Sequence, residues 1–238
     1  MIVECHAKAA PLIATIEGVD KVCIAGNDRP DFDVQAPIFS LPHILDDENI
    51  TLNDNGDSGP YITASASHSV NLPPSGGLQI RTGLCWSPDV VRRGTEDRSC
   101  SLDQMMALLA VPGITAFSLQ GGERAGDINS SSCPALITDL EPQIKNTADL
   151  ADAISQLDLV ICVDSVTAHV AGAMGKPTWV LLPFVSDWRW HTGHPATENS
   201  AWYPSMRIFR QSRPGDWSGV IKEVQGALSK RAAGKLKT

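Results

Sequence analysis

No apolar run in this 238-residue chain approaches the ~18 residues of a membrane span. The N-terminus, MIVECHAKAAPL, lacks the charged-then-apolar order of a secretory signal. These two absences give the expectation of a cytoplasmic protein. No basic block offsets the formal charge of -8, which argues against a general nucleic-acid binder. The clearly basic residues Lys230, Arg231, Lys235 and Lys237 sit together at the C-terminus and read as a solvated tail. None of the six cysteines, at 5, 23, 85, 100, 133 and 162, forms a CxxC pair, so the spacing of a zinc site is missing. The chain is also long for a disulfide framework, and reduced buried thiols are expected. There is no GxSxG elbow, P-loop or GxGxxG, which removes the usual support for a serine hydrolase, an NTPase or a classical dinucleotide enzyme. No internal repeat is visible.

What is present is an α/β rhythm. The chain is 42% hydrophobic and 19% charged, as ordinary soluble domains are. Ile2 to Cys5, Lys8 to Ile16 and Lys21 to Ala25 read as a compressed strand–helix–strand unit. An irregular, acidic and turn-rich region follows, and Ser65 to Gly77 is the best linker candidate. Beyond it, strands are expected at Leu78 to Trp86, Ile114 to Leu119, weakly at Ala135 to Leu140, then at Leu159 to Val163, Thr178 to Leu182 and Met206 to Arg210. Helices are expected at Leu102 to Ala110 after a Ser101 cap, at Thr147 to Gln156 after Asn146 or Thr147, at Val166 to Met174, and at Trp217 to Lys230. Strands separated by helices imply a parallel sheet with helices on both faces. Ligands of such sheets lie at the carboxyl ends of the strands, where Trp86-Ser87, Gln120-Gly121 and Asp164-Ser165 converge.

The richest stretch is LDLVICVDSVTAHVAGAMGKPTWVLLP, residues 157–183. A strand end feeding a helix N-terminus offers free backbone N–H groups and a positive dipole end, which suit a phosphate. Ser165, Thr167 and His169 could add donors there, and His169 could instead act as a base. Asp164 could cap the helix or bind a sugar hydroxyl, the cap being the simpler role. Arg98 could neutralise a diphosphate, or pair in solvent with Glu96 or Asp97; Arg92 and Arg93 are weaker candidates of the same kind. The loop Asp187-Trp188-Arg189-Trp190 could hold a base or sugar, or plug the domain. His191 and His194 give HxxH spacing in a Gly- and Pro-containing loop, and no metal site is expected from it.

These segments, together with PIFSLP (37–42), PY (60–61), GLCW (83–86), DRS (97–99), SLQ (118–120), WYPSMRIFRQ (202–211) and GDW (215–217), resemble glycosyltransferase family 9-like proteins, relatives of ADP-heptose:lipopolysaccharide heptosyltransferases. Within that family the chain is most similar to members that carry the domain behind tetratricopeptide repeats. The resemblance implies a GT-B architecture of two facing Rossmann-like domains. Residues 77–238 would form the complete C-terminal donor domain, and residues 1–76 part of an acceptor-side domain and linker. It implies a nucleotide-diphospho-sugar as donor substrate with no further cofactor, and a metal-independent inverting displacement by an acceptor hydroxyl. Asp164, Ser165, Val166, Thr167 and His169 would hold the diphosphate, and Arg98 and His169 would serve catalysis. Trp86, Gln120, Glu123, Asp187 and Trp188 would line the donor pocket. The family's Gly-rich opening unit and the repeats have no counterpart here. The competing expectation is therefore a non-catalytic binding module that keeps the donor-domain fold. A partial N-terminal sheet would also expose strand edges, which predicts self-association or a covering partner.

Overall fold

A computed structural model of the chain describes residues 1–44, 59–65, 69–74, 76–77, 79–90, 98–190, 200 and 202–235. Two parallel sheets organise it. The smaller pairs β1 (Ile2–Cys5) with β2 (Lys21–Ile24), joined by the short helix α1 (Ala10–Ile13). Three residues of the expected helix fall away at its end because Gly18 takes a left-handed turn, φ 85°. A 3-10 turn at Ile38–Ser40 runs into α2 (Leu41–Ile44), where Ile38 and Ile44 are exposed.

The larger sheet has six strands in the order β5-β4-β3-β6-β7-β8, all neighbours parallel. In chain order these are β3 (Ile80–Cys85), α3 (Leu102–Met106), β4 (Ile114–Ser118), α4 (Asp127–Ser130), β5 (Ile137–Asp139), α5 (Thr147–Ser155), β6 (Leu159–Val163), α6 (Val166–Ala173), β7 (Thr178–Leu182), β8 (Met206–Arg210) and α7 (Trp217–Lys235). The chain winds outward from β3 in one direction and from β6 in the other. The strand order therefore reverses between β3 and β6, and a crevice opens there beyond their carboxyl ends.

Burial on both faces explains why the strands read as unbroken apolar runs. In β6, Val160 and Cys162 face α5 and α6, while Leu159, Ile161 and Val163 face α3 and α7; all five are fully buried. Ala151, Ala153, Ala168 and Ala171 keep α5 and α6 close to one face. Leu102, Met105, Val220, Val224 and Leu228 cover the other.

The helix starts are built unequally. Ser101 forms a full capping box with Gln104, its hydroxyl accepting from the Gln104 N–H at 3.2 Å while the Gln104 side chain accepts from the Ser101 N–H at 2.8 Å. The Asn146 side chain accepts from the N–H groups of Ala148 and Asp149. At α6, Ser165 holds the cap position without any side-chain cap bond.

The expected linker is fastened down. Asp152, 1% exposed on α5, accepts from the backbone N–H groups of Ser69 and Val70 at 2.7 Å each, and Gln156 donates to the Val70 carbonyl at 2.8 Å. Lys176 donates to the carbonyls of Ser155 and Leu157 at the end of α5, a favourable place for a cation. All six cysteines are free thiols. Four are buried, but Cys133 is exposed and Cys5 half-buried, because those two sit in an irregular turn and on an edge strand. No described helix is long and apolar enough to cross a membrane.

Candidate functional site

The reversal of strand order places Cys85-Trp86-Ser87, Leu119-Gln120 and Asp164-Ser165 around one crevice. Two of these expected ligand groups face inward. Gln120 is fully buried, and its side chain is used up inside the protein. Its Oε1 accepts from the N–H groups of Trp86 and Ser87 at 2.9 and 2.8 Å, and its Nε2 donates to the carbonyls of Ser87 and Gly121 at 2.9 and 2.8 Å. It clamps the end of β3 to the end of β4 and leaves no bond for a ligand. Trp86 is likewise fully buried, on the α3 and α7 side, with its indole N–H on Asp127 at 3.1 Å. Neither side chain, expected to line a donor pocket, borders the cavity beside the α6 start. Glu123 is exposed on a 3-10 turn, Gly122–Arg124.

Asp164 does not cap α6. Its carboxylate, 4% exposed, turns across the crevice to Arg98, 3.2 Å away, with its other oxygen 4.0 Å from Nε2 of His169. Arg98 also reaches Asp187 at 3.8 Å, and Asp187 lies 3.0 Å from Arg189. Two cations and two carboxylates thus alternate around His169. The hydroxyl of Ser165, expected to face a ligand, donates instead to the Val163 carbonyl at 3.1 Å and lies 3.7 Å from the Cys85 thiol. Thr167, 2% exposed, also reaches that thiol. What α6 offers outward at its start is backbone, with Val166 half-exposed beside it.

His169 is enclosed on three sides. Trp190, 1% exposed, stacks on the imidazole at 5.2 Å and 20°. Tyr203 stands at 5.9 Å, its hydroxyl 3.1 Å from Nδ1. Burial, and then the Arg189 charge, lower the imidazole's pKa below its ordinary value despite Asp164 and Asp187, so the ring is neutral near pH 7. Burial raises the Tyr203 phenol and keeps it protonated. The Asp187–Trp190 loop divides its two indoles: Trp190 is the plug, while Trp188 is half-exposed, edge-on to Trp202. Arg189 lies over the Phe39 ring at 5.4 Å, so the loop meets the PIFSLP segment.

Beside the α6 start lies a cavity of about 320 Å³. Gly121, Gly122, Asn146, Thr147, Val166 and Thr167 line it, and His6 and Lys8 close it from the β1–α1 loop. Gly122, at φ 69°, is required there, because a Cβ would lie 1.9 Å from the Asp89 carbonyl oxygen. Of the expected site residues only Val166 and Thr167 border this cavity. Sequence reasoning missed Asn146 and Thr147 as wall residues, having read them only as a cap. The buried thiols supply no nucleophile: desolvation pushes Cys85 and Cys162 up, and Cys100 to about 12. Among the described residues no cluster of three metal-ligating side chains occurs. Arg92, Arg93, Glu96, Asp97, His191 and His194 lie outside the described residues.

An uncapped helix start at the strand-order reversal, with a cavity beside it and a guanidinium nearby, suits an anion. Residues 118–186 match the model of glycosyltransferase family 9 (heptosyltransferase). The matched stretch runs from the end of β4 past β7 and contains Asp164 to His169; Asp187 lies one residue beyond it, and Arg98 lies well before its start. Protein FlbA of Caulobacter vibrioides is 32% identical over 130 residues, which is 53% of this chain and 21% of that protein. The aligned part thus spans about a fifth of that relative's length. The E. coli ADP-heptose LPS heptosyltransferase II structure is similar at 13% identity and a TM-score of 0.48, over 66% of this chain and 48% of that one. E. coli heptosyltransferase WaaC with ADP-2-deoxy-2-fluoro heptose is similar at 15% and 0.47, over 68% and 45%.

Proposed function

We propose that this chain carries the donor site of a glycosyltransferase that takes a nucleotide-diphospho-sugar and passes the sugar to an acceptor hydroxyl. The observation that carries the reading is the start of α6. It is the one long helix start among α5 and α6 left without a side-chain cap, and it stands where the sheet reverses its strand order. A diphosphate resting on the free N–H groups of Val166 and Thr167 has the 320 Å³ cavity on one side for its nucleoside. On its other side it has the Arg98–Asp164–Asp187–His169 cluster for the sugar and the leaving-group charge.

In this reading Arg98 is held ready by carboxylates and swings partly to the diphosphate, giving up the looser 3.8 Å contact to Asp187 before the 3.2 Å contact to Asp164. As the bond from the anomeric carbon to the diphosphate oxygen breaks, negative charge grows on the diphosphate. The helix N-terminus and Arg98 already face that charge, so little reorganisation is needed. The acceptor oxygen attacks from the opposite face, inverting the anomeric centre. Phe39, against Arg189, brings the N-terminal segment to the sugar side of the cluster.

The test is turnover of labelled nucleotide sugars. The expected result is release or transfer of the sugar, lost in Arg98→Ala while thermal unfolding shows the variant folded. Binding of nucleoside diphosphates with no turnover for any sugar or acceptor would leave a binding module in place of an enzyme.

A further inference from the structure

His169 has two chemically distinct nitrogens, and its neighbours decide which carries the proton. At Nδ1 stands the Tyr203 hydroxyl, 3.1 Å away, with the Tyr61 side chain close to Tyr203. At Nε2 stands a carboxylate oxygen of Asp164, 4.0 Å away. Were Nδ1 protonated, the Nε2 lone pair would face that carboxylate across 4.0 Å, which is repulsive in a buried setting. Were Nε2 protonated, its N–H would face the carboxylate, and the Nδ1 lone pair would accept the Tyr203 O–H. Both ends favour the same form. The other charges around the ring are Asp187, Arg189 and, across Asp164, Arg98.

We propose that Tyr203 is a positioning residue that fixes His169 as the Nε2–H tautomer, and so makes it a hydrogen-bond donor toward the crevice rather than a base. The phenol is protonated and can supply the O–H. Its place is built into the fold. Gly172, one turn along α6 from His169, gives the Tyr203 ring its seat, since a Cβ there would lie 2.5 Å from Tyr203 Cγ. Tyr61 is held by its own N–H on the Ala173 carbonyl at 3.0 Å, at the end of the same helix. The PY and WYPS segments, 142 residues apart in sequence numbering from Tyr61 to Tyr203, thus meet along α6. A neutral Nε2–H beside the α6 start adds a donor for an oxyanion without adding a charge that Asp164 would neutralise. This consequence rests on the donor-site reading; the tautomer itself does not.

The experiment is long-range ¹H–¹⁵N NMR on protein labelled in histidine, at pH 8, with His169→Gln assigning the resonance. The wild type is expected to show a protonated Nε2 and an unprotonated Nδ1. In Tyr203→Phe, which keeps the ring and its seat, the signature shifts toward a mixture, and affinity for the ADP, GDP or UDP that binds falls about fivefold, as for one neutral hydrogen bond. A proton on Nδ1 in the wild type, or a Tyr203→Phe spectrum identical to wild type, overturns the inference. If none of the three diphosphates binds the wild type, the donor-site reading falls, and the spectrum still decides the tautomer.

Discussion

Gly172→Ala separates helix propensity from packing at the site. Gly172 lies inside α6, where exchanging glycine for alanine ordinarily stabilises by about 1 kcal/mol. Here the added Cβ would meet Tyr203 Cγ at 2.5 Å, Tyr203 Cδ1 at 2.8 Å and Met206 Cε at 2.9 Å. Carbon atoms pack at about 3.5–4.0 Å, so the ring must retreat by roughly 1 Å. Met206 Cε is the flexible end of its side chain and yields easily. Tyr203 Cγ is attached next to the backbone of a residue whose ring is wedged against His169, so it does not. Overpacking of this kind costs about 1–3 kcal/mol. Set against the propensity gain, the net is a loss of about 1 kcal/mol, or about 2–4 °C in Tm for a chain of this size. A retreat of roughly 1 Å also takes the Tyr203 hydroxyl out of reach of Nδ1, now at 3.1 Å. Diphosphate affinity should therefore fall with stability, as it does in Tyr203→Phe. The assay is thermal unfolding paired with calorimetric titration of the diphosphate. A variant that melts higher than wild type and binds as well would refute the reasoning, because it would mean that Tyr203 is not seated on Gly172.

Other perturbations follow from the same contacts. Asp152→Ala removes the acceptor for the N–H groups of Ser69 and Val70, costing about 1–3 kcal/mol for each amide left unpaired; urea unfolding that shows a change under about 0.5 kcal/mol would contradict the fastening of residues 69–71. Arg98→Ala leaves the buried Asp164 without its cation; since Arg98 is itself one-third exposed, the stability loss should be about 1–2 kcal/mol, and diphosphate affinity should drop about ten- to hundredfold. The folded-state pKa of His169 is lowered from 6.5, so the unfolded chain takes up that proton first and stability is lost as the pH falls through 6.5. Tm measured between about pH 5 and 8 should show that loss. Replacing His169 with glutamine should flatten the slope, and an unchanged slope would remove His169 as its source.

The sheet was legible because its inner strands β6 and β7 are buried on both faces. Val160, Cys162, Leu159, Ile161 and Val163 leave no polar face to confuse the period, and β6, β7 and β8 fall on the expected residues. Helix ends were less legible where the last turn tightens, as at Ala107–Ala110, a 3-10 turn that the sequence reads as continuing α3. The turn from β6 into α6 was placed from the Asp164-Ser165 break alone. The direction of its side chains was not: a short polar side chain at a strand end can cap, pair or turn inward, and sequence does not choose. Asp164 pairs with Arg98, Ser165 turns back to Val163, and Gln120 and Trp86 face the interior. Tyr203 passed unassigned because its partner, His169, is set by packing on α6, 34 residues away in the chain.

The proposal that the start of α6 holds a nucleoside diphosphate is decided by titrating ADP, GDP and UDP into the wild type and into Arg98→Ala, with thermal unfolding alongside. Single-site binding by at least one of them is expected. At a hundred times the Kd this stabilises the fold by about 2.7 kcal/mol, a rise of about 5–10 °C in Tm that Arg98→Ala largely abolishes. No heat and no shift for any of the three at millimolar concentration would contradict it.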